Sequence, residues 1–208
     1  MGFEPLENPY WEKGLLVAGL DEAGRGPLAG PVVVACVVLK PFTRPFLTSD
    51  SKKYSPAKRE ELFEKIIENA LGVTVSFATV ESIEEKNVYR ATQRAFENAL
   101  SLLPVKVSAV FTDYMPLKGL SIPCHPLPKG DARVFSIAAA SIVAKVIRDR
   151  LMVAYSKHYP QYGFEKHKGY PTKEHLKALK TYGVSPIHRK NYSPIKEILN
   201  QKRNKNLF

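Results

Sequence analysis

The sequence predicts an α/β protein in which helices flank a mixed β-sheet. Two strand-like apolar runs come first, at 15–20 and 32–39, and helical and strand-like segments then alternate along the chain. The 208 residues are 44% apolar and 25% charged, an ordinary globular composition, and a chain of this length can form a sizeable single core. We therefore expect one main domain at 1–156, large enough to hold a catalytic site, with a basic helical region at 157–208 packed on it.

The first two runs indicate buried strands followed by a helix. Leu15–Leu20 is apolar up to Asp21, and Val32–Leu39 is rich in valine, as expected for strands covered on both faces. A turn dense in Gly and Pro separates them. Ser55-Pro56 then predicts the start of a helix, since Ser is a favourable N-cap and Pro suits the first helical position.

The middle of the chain alternates between strand and helix. We expect Gly72 to end the first helix and Val73–Val80, which alternates in polarity, to form a strand. Val88–Leu103 has helical spacing with small residues along one face. Val105–Phe111 predicts a short strand that brings Asp113 to its carboxyl end.

The last third is expected to be helical. Ser136–Tyr155 is the longest helical pattern, and Thr172 and Ser193-Pro194 are plausible caps for two shorter helices. Small residues on one face of the long helix would allow close packing on the sheet; they are Ala138, Ala139, Ala140 and Ala144.

The charge distribution points to nucleic acid as a partner. The chain carries a net charge of +11, and residues 157–208 hold twelve Lys and Arg against three Glu, a balance of +9. Tyrosines and a phenylalanine interleave with these cations, an arrangement that suits contact with phosphates and sugars.

Several classes of protein are excluded or disfavoured. No apolar run reaches the ~18 residues that cross a bilayer, and the first twenty residues lack the pattern of a signal peptide. Cys36 and Cys124 are the only cysteines, which rules out a disulfide framework and favours a reducing cytoplasm. We expect a cytoplasmic monomer without membrane contact.

Four acids stand where strands or turns end. Asp21 and Glu22 follow the first strand, Asp113 follows another, and Asp131 lies in a turn before the long helix. Spacing alone favours one solvated and one structural carboxylate at the first pair, since neighbours on a strand face opposite ways. However, acids at the end of a buried strand need a cation or hydrogen-bond partners. Convergent oxygen ligands favour Mg²⁺ or Mn²⁺, and such a cluster suits phosphodiester hydrolysis with two ions.

Other motifs carry less weight. Gly24-Arg25-Gly26 starts like a dinucleotide-binding fingerprint, but a strand-like run follows it where that fingerprint needs a helix. The five histidines lack the spacing of a zinc site, and most of them are expected to be exposed or to face phosphates. Asp149 is expected to form a local ion pair on the long helix.

The chain resembles the type 2 ribonucleases H (ribonuclease HII). The matching segments run in family order from about residue 14 to residue 195. They are Asp21-Glu22-Ala23-Gly24-Arg25-Gly26, Asp50-Ser51-Lys52-Lys53, Lys129-Gly130-Asp131, Ser136-Ile137-Ala138-Ala139-Ala140-Ser141, Ala144-Lys145, Arg148-Asp149-Arg150, Tyr159-Pro160, His167-Lys168-Gly169-Tyr170 and Pro186-Ile187-His188-Arg189. One departure is Tyr114, where the family usually has Gly.

The resemblance implies an RNase H-like fold and cleavage of RNA in RNA–DNA hybrids and 5′ of ribonucleotides embedded in duplex DNA. It implies that the metal-binding catalytic acids are Asp21, Glu22, Asp113 and Asp131. It further implies that Gly24, Arg25 and Gly26 sense the ribose 2′-hydroxyl, with Tyr170 at the RNA–DNA junction. Candidate phosphate contacts are Lys52, Lys145, Lys168 and Arg189.

Two other functions remain open at this level. A non-catalytic nucleic-acid-binding protein would explain the basic C-terminal region but gives the acids no role. A Mg²⁺-dependent phosphotransferase would need a nucleotide-cradling loop, and we find none in the sequence.

Overall fold

A computed structural model describes residues 2–47 and 54–205, and the backbone alone for 201–205. Within these residues the core is one sheet with the strand order β3-β2-β1-β4-β5. The strands are β1 (Val17–Ala23), β2 (Val32–Leu39), β3 (Ala70–Ala78), β4 (Ala109–Asp113) and β5 (Cys124–Leu127). The first three strands pair antiparallel, whereas β1 pairs parallel with β4 and β4 parallel with β5. This confirms the predicted mixed sheet.

Helices account for most of the remaining described chain. They are α1 (Asn8–Trp11), α2 (Pro56–Asn69), α3 (Val80–Lys86), α4 (Val88–Ser101), α5 (Phe135–His158), α6 (Phe164–His167), α7 (Lys173–Tyr182) and α8 (Ile195–Lys205). The predicted caps are correct at two helices, because the Ser55 and Thr172 side chains accept hydrogen bonds from the first turns of α2 and α7. No helix in the described part of the chain has the length and apolar character needed to cross a bilayer.

Some predicted boundaries are wrong. Gly72 does not end α2 but lies inside β3, because the strand already begins at Ala70. Likewise, β4 begins at Ala109, four residues after the predicted start at Val105. Strand β5 and helix α3 were not predicted, since neither segment has a clear apolar period.

Helices cover both faces of the sheet. On β2, alternate side chains enter different clusters: Val34 and Cys36 pack with α3 and α4, whereas Ala35 and Val37 pack with α2 and α5. All eight residues of β2 are therefore buried, which explains its continuous apolar run.

The N-terminal end of α5 lies very close to β1. A Cβ on Gly19 would lie 2.2 Å from the Ser136 carbonyl carbon, so only glycine fits there. The predicted alanine face of α5 is buried against the sheet. This packing brings Ser141 and Lys145, farther along α5, beside the carboxyl end of β1.

Residues 157–200 pack on the rest of the molecule through a separate apolar cluster. Phe164, Leu179 and Ile187 of this region meet Leu28 and Met152. The backbone also joins the two parts, since Ala29 and His188 form an isolated antiparallel bridge. The C-terminal region thus rests directly on the turn that follows β1.

Candidate active site

The four predicted acids line one cavity at the end of the sheet. The cavity has a volume of about 420 Å³, and its walls include Asp21, Glu22, Asp113 and Asp131. Because β1 and β4 run parallel as neighbours, with Leu20 opposite Thr112, their carboxyl ends meet at this place. The topology therefore brings together acids that are distant in sequence: Asp113 is 92 positions after Asp21, and Asp131 is 18 positions after Asp113.

Asp21 is the most buried of the four acids. It is 5% exposed, and its Oδ1 accepts a hydrogen bond of 2.7 Å from the Glu22 backbone N–H. Burial raises the pKa of the Asp21 carboxyl well above its usual range, and the nearby charges of Glu22 and Asp113 raise it further. A hydrogen bond with the Ser141 side chain opposes this pKa rise.

Asp113 is fixed by the turn that carries Asp131. Its Oδ1 accepts a hydrogen bond of 2.7 Å from the Gly130 backbone N–H, and Gly130–Ala132 form a short 3₁₀ turn. Tyr114, the next residue along the chain, has a φ of 59°. This left-handed conformation favours glycine, which gives a physical reason for the glycine that the resemblance leads one to expect there.

The donor set fits hard divalent cations. Four carboxylates around one cavity offer only oxygen ligands, which Mg²⁺ and Mn²⁺ prefer. Across residues 2–47 and 54–205, no three His, Cys, Asp or Glu side chains already stand in a metal-binding arrangement. The mutual repulsion that raises the Asp21 pKa is the kind of interaction that a bound cation relieves.

The Gly24-Arg25-Gly26 turn and Tyr170 also line this cavity. Gly24 has a φ of 104°, which a side chain rarely adopts. The Arg25 guanidinium lies 3.4 Å from the Glu22 carboxylate. A Cβ on Gly26 would stand 3.8 Å from Tyr170 Cε1, so the half-exposed tyrosine ring faces the turn at contact distance.

The predicted phosphate contacts differ in position. Lys145 lines the acidic cavity, and its Nζ bonds the Asp149 carboxylate at 2.6 Å, which matches the local ion pair expected for Asp149. Burial lowers the Lys145 pKa, and the carboxylate of Asp149 opposes this. Lys168 lines an adjoining cavity of about 550 Å³, where its Nζ bonds the Glu165 carbonyl. Lys52 lies outside the described residues.

The prediction of a phosphate contact for Arg189 needs correction. Its side chain is 0% exposed, and its guanidinium donates to backbone carbonyls of Gly24, Arg25 and Gly30. A group buried in this way cannot meet a phosphate without breaking these hydrogen bonds. The sequence motif located Arg189 beside the turn but gave no indication of which way the side chain points.

The expectation that most of the five histidines are exposed or face phosphates was wrong, because three of them are buried. His167, His175 and His188 are at most 9% exposed. The rings of His167 and His175 stack at 4.5 Å, and the Nε2 atoms of His175 and His188 are 3.0 Å apart. This histidine cluster (His167, His175 and His188) also supports Tyr170, because His175 Nδ1 bonds the Tyr170 carbonyl at 2.9 Å.

Two residues at the site were missed by the sequence reasoning. Arg59 of α2 lines both cavities and lies 3.4 Å from the Asp149 carboxylate. Ser141 of α5 lines the acidic cavity and interacts with Asp21. Ser141 stood within a matched motif, which could have indicated it, whereas nothing in the helical pattern distinguishes Arg59 from other exposed cations.

The chain is similar to known proteins over nearly its whole length. The family model described as Ribonuclease HII matches residues 18–194. Ribonuclease HII of Aquifex aeolicus is 50% identical over 193 residues, which cover 93% of this chain and 97% of that protein.

Solved structures show the same fold. The ribonuclease H2 of Pyrococcus horikoshii OT3 matches with a TM-score of 0.76 and 29% identity, covering 91% of this chain and 99% of that one. A structure of Bst-RNase HIII in complex with Mn²⁺ matches with a TM-score of 0.63 and 18% identity, covering 91% and 71%.

Proposed function

This chain belongs to the ribonuclease HII family and is a ribonuclease H, a metal-dependent endonuclease, and from that premise we propose its substrates, site and products. It hydrolyses the RNA strand of RNA–DNA hybrids and also incises duplex DNA on the 5′ side of an embedded ribonucleotide. The observation that carries the proposal is that the four acids, the Gly24–Gly26 turn and Tyr170 line one cavity.

Asp21, Glu22, Asp113 and Asp131 are the proposed ligands of two Mg²⁺ or Mn²⁺ ions. When bound, the two cations supply Lewis-acid activation of the attacking water and stabilisation of the leaving 3′-oxygen. The chemistry of the donor set supports this, as does the Mn²⁺ in the structure of Bst-RNase HIII. The Asp113–Gly130 hydrogen bond holds Asp113 beside the turn that carries Asp131, and Ser141 orients Asp21.

The proposed products have 3′-hydroxyl and 5′-phosphate ends. The ribose is read by the Gly24–Gly26 turn, which follows the acids directly in β1 and therefore lies beside the scissile phosphate. The 2′-hydroxyl serves as a recognition group and water is the nucleophile, so no 2′,3′-cyclic phosphate forms. Tyr170 contacts the adjoining deoxyribose on the 3′ side, where its ring faces Gly26.

Cations around the acidic cavity are proposed to bind the substrate backbone. Lys145 lines that cavity, and Lys168 lines the adjoining cavity, which also contains Arg150 and Lys166. Ion pairs with Asp149 fix the positions of the Lys145 and Arg59 side chains before the substrate binds. The domain assignment follows the same division: residues 1–156 supply the acids, and residues 157–208 supply Tyr170 and part of the phosphate contacts.

We also propose that the enzyme acts as a monomer in the cytoplasm. All the residues assigned to the site come from a single chain, and Cys36 and Cys124 are both free thiols.

Cleavage of an end-labelled duplex that contains one ribonucleotide tests the proposal. We expect a single break on the 5′ side of the ribonucleotide, loss of cleavage in EDTA and recovery with excess Mg²⁺ or Mn²⁺. The all-DNA duplex of the same sequence is the control and should stay intact. Cleavage on the 3′ side, a cyclic phosphate end, or full activity in EDTA would contradict the proposal.

A further inference from the structure

We propose that Arg189, together with Arg148, is a positioning residue for ribose recognition. The two buried guanidinium groups hold the Gly24–Gly26 turn so that two backbone N–H groups face the substrate. This inference rests on the proposed function, in which that turn reads the 2′-hydroxyl.

Arg189 binds the turn from inside the protein. Its Nη2 donates to the Gly24 carbonyl at 2.6 Å, its Nη1 to the Arg25 carbonyl at 2.8 Å and its Nε to the Gly30 carbonyl at 2.9 Å. Tyr192 supports the same contact, since its hydroxyl donates to the Arg25 carbonyl at 2.9 Å. One planar side chain thus fixes both the beginning and the end of the segment from Gly24 to Gly30.

Arg148 holds the same segment from α5. Its guanidinium donates to the carbonyls of Ala29, Pro31 and Lys168 at 3.0–3.1 Å. A Cβ on Gly24 would lie 2.0 Å from Arg148 Nε, so the turn rests directly on this side chain. Through the Lys168 carbonyl, Arg148 also ties the turn to the backbone beside Tyr170.

Both arginines carry charge in a buried position. The hydrogen bonds found for the two guanidinium groups go to carbonyl oxygens and to the Tyr192 hydroxyl. Burial lowers the Arg148 pKa to about 10, and the neighbouring charge of Arg189 contributes to this. Carbonyl dipoles therefore stabilise the two cations, and the cations in turn fix the direction of those carbonyls.

The direction of the carbonyls determines where the N–H groups point. In a trans peptide the C=O of one residue and the N–H of the next point in opposite directions. Since the carbonyls of Gly24 and Arg25 point toward buried Arg189, the N–H groups of Arg25 and Gly26 point away from it. The cavity that these residues line is on that outer side. Two adjacent donors directed into a cavity suit a hydroxyl or phosphate oxygen.

This geometry explains discrimination without any contact between Arg189 and substrate. A ribose offers a 2′-oxygen to the two N–H donors, whereas a deoxyribose leaves them without that acceptor. If the turn loses its fixed orientation, the enzyme binds the transition state of the ribonucleotide substrate less tightly. Binding of plain duplex, which depends on phosphate contacts, is unaffected.

The substitution Arg189→Lys tests the proposal while keeping the charge. A lysine ammonium is a single point and cannot bond three carbonyls in one plane. We expect kcat/KM on a duplex with one ribonucleotide to fall about 10-fold or more. The Kd for the all-DNA duplex should stay within about twofold, because the charge is retained. Arg94→Lys, at an exposed position on α4, is the matched control and should change neither value.

A second variant keeps the proposal testable if Arg189→Lys fails to fold. Tyr192→Phe removes one hydrogen bond to the Arg25 carbonyl without changing any charge, and it should lower the same kcat/KM about threefold to fivefold. Thermal unfolding is followed for each variant. If Arg189→Lys does not fold, Tyr192→Phe decides the question.

The outcomes separate this inference from the proposed function. Failure of the unsubstituted protein to cleave the ribonucleotide duplex would overturn the proposed function. If that protein cleaves but Arg189→Lys and Tyr192→Phe cleave equally well, the positioning role is wrong. Equal losses in cleavage and in all-DNA binding would indicate only a smaller folded fraction, and would also overturn the positioning role.

Discussion

At the scale of single residues, Asp21 is buried in the cavity wall close to other negatively charged side chains. Asp21 is nearly inaccessible, and burial together with the charges of Glu22 and Asp113 raises its pKa, whereas hydrogen bonds with Ser141 and a backbone N–H oppose this rise. A cation at the site would stabilise the anionic form of such a group further. A buried amide of the same shape would destabilise the fold less, so we infer that the Asp21 charge serves function and not stability.

The substitution Asp21→Asn should separate catalysis from stability. We expect the cleavage rate of an RNA–DNA hybrid to fall at least about 100-fold, because the proposed cation ligand is lost. The melting temperature should stay the same or rise, since a buried repulsion is removed. Hybrid binding should persist, because removing negative charge does not weaken a phosphate-binding site. Glu97→Gln on α4 is the control, and an Asp21→Asn enzyme of full rate would remove Asp21 from the site.

Tyr114 allows a second test at the residue scale. A non-glycine residue with a φ of 59° costs about 1–2 kcal/mol, part of which the greater backbone entropy of glycine offsets. Tyr114→Gly should therefore raise the free energy of unfolding by up to about 1 kcal/mol in urea titrations. Tyr182→Gly, at an exposed helical position, is the control and should lower it. A destabilised Tyr114→Gly would mean that contacts of the tyrosine ring outweigh the backbone strain.

Among the elements, the segment around α6 and α7 depends on the histidine cluster. His175 bonds the Tyr170 carbonyl and the His188 ring, and His188 bonds Ser185, so the imidazole rings link Tyr170 to the segment after α7. Burial lowers the pKa of His175 to about 4 and that of His188 to about 3. The charge of His175 lowers the His188 pKa further, and the charge of His167 lowers both.

This cluster predicts acid sensitivity. An unfolded histidine has a pKa of about 6.5, so between pH 6.5 and 4 the unfolded chain binds protons that folded His175 does not. Stability should therefore be fully present above pH 6.5 and fall as the pH is lowered toward 4. His175→Gln should flatten the fall of the melting temperature in this window relative to the unsubstituted protein. His158→Gln, exposed at the end of α5, should leave it unchanged, and equal slopes for all three proteins would exclude the cluster.

Across the whole molecule, the C-terminal region is part of the core and not a detachable tail. Phe164, Leu179 and Ile187 cover Leu28 and Met152. Removing residues after 156 would expose this apolar surface and release the Gly24–Gly26 turn from Arg189. The basic charge of this region is therefore better tested by point substitutions than by truncation.

Salt dependence of hybrid binding reports which cations meet phosphate. Each lost phosphate contact should reduce the slope of log K against log salt by about 0.9. Replacing both Lys166 and Lys168 by Ala, beside the adjoining cavity, should lower the slope by up to about 1.8. The control replaces Lys177 and Lys180, exposed on α7, by Ala and should keep the slope. Equal slopes for both double variants would mean that the adjoining cavity does not bind the substrate backbone.

Sequence patterns located most of the fold. The apolar run of β2, the caps at Ser55 and Thr172 and the alanine face of α5 depend on local rules, and each is confirmed. The start of β4 and the position of Gly72 were wrong, because strand ends depend on partner strands that are distant in sequence. Exposure of the histidines was also mispredicted, since burial of a polar ring depends on partners such as Tyr170 and Ser185.

The sequence by itself determined the α/β class, the family motifs and the identity of the acids, because these depend on residue type, spacing and order. Only the tertiary structure decided how the acids, the turn and Tyr170 share one cavity, since that follows from the parallel pairing of β1 with β4 and from packing of the C-terminal region. It also decided that Arg189 is buried and bonds backbone carbonyls. The direction of a long cationic side chain is set by which acceptors surround it, and the carbonyls of Gly24, Arg25 and Gly30 lie more than 150 residues away in sequence.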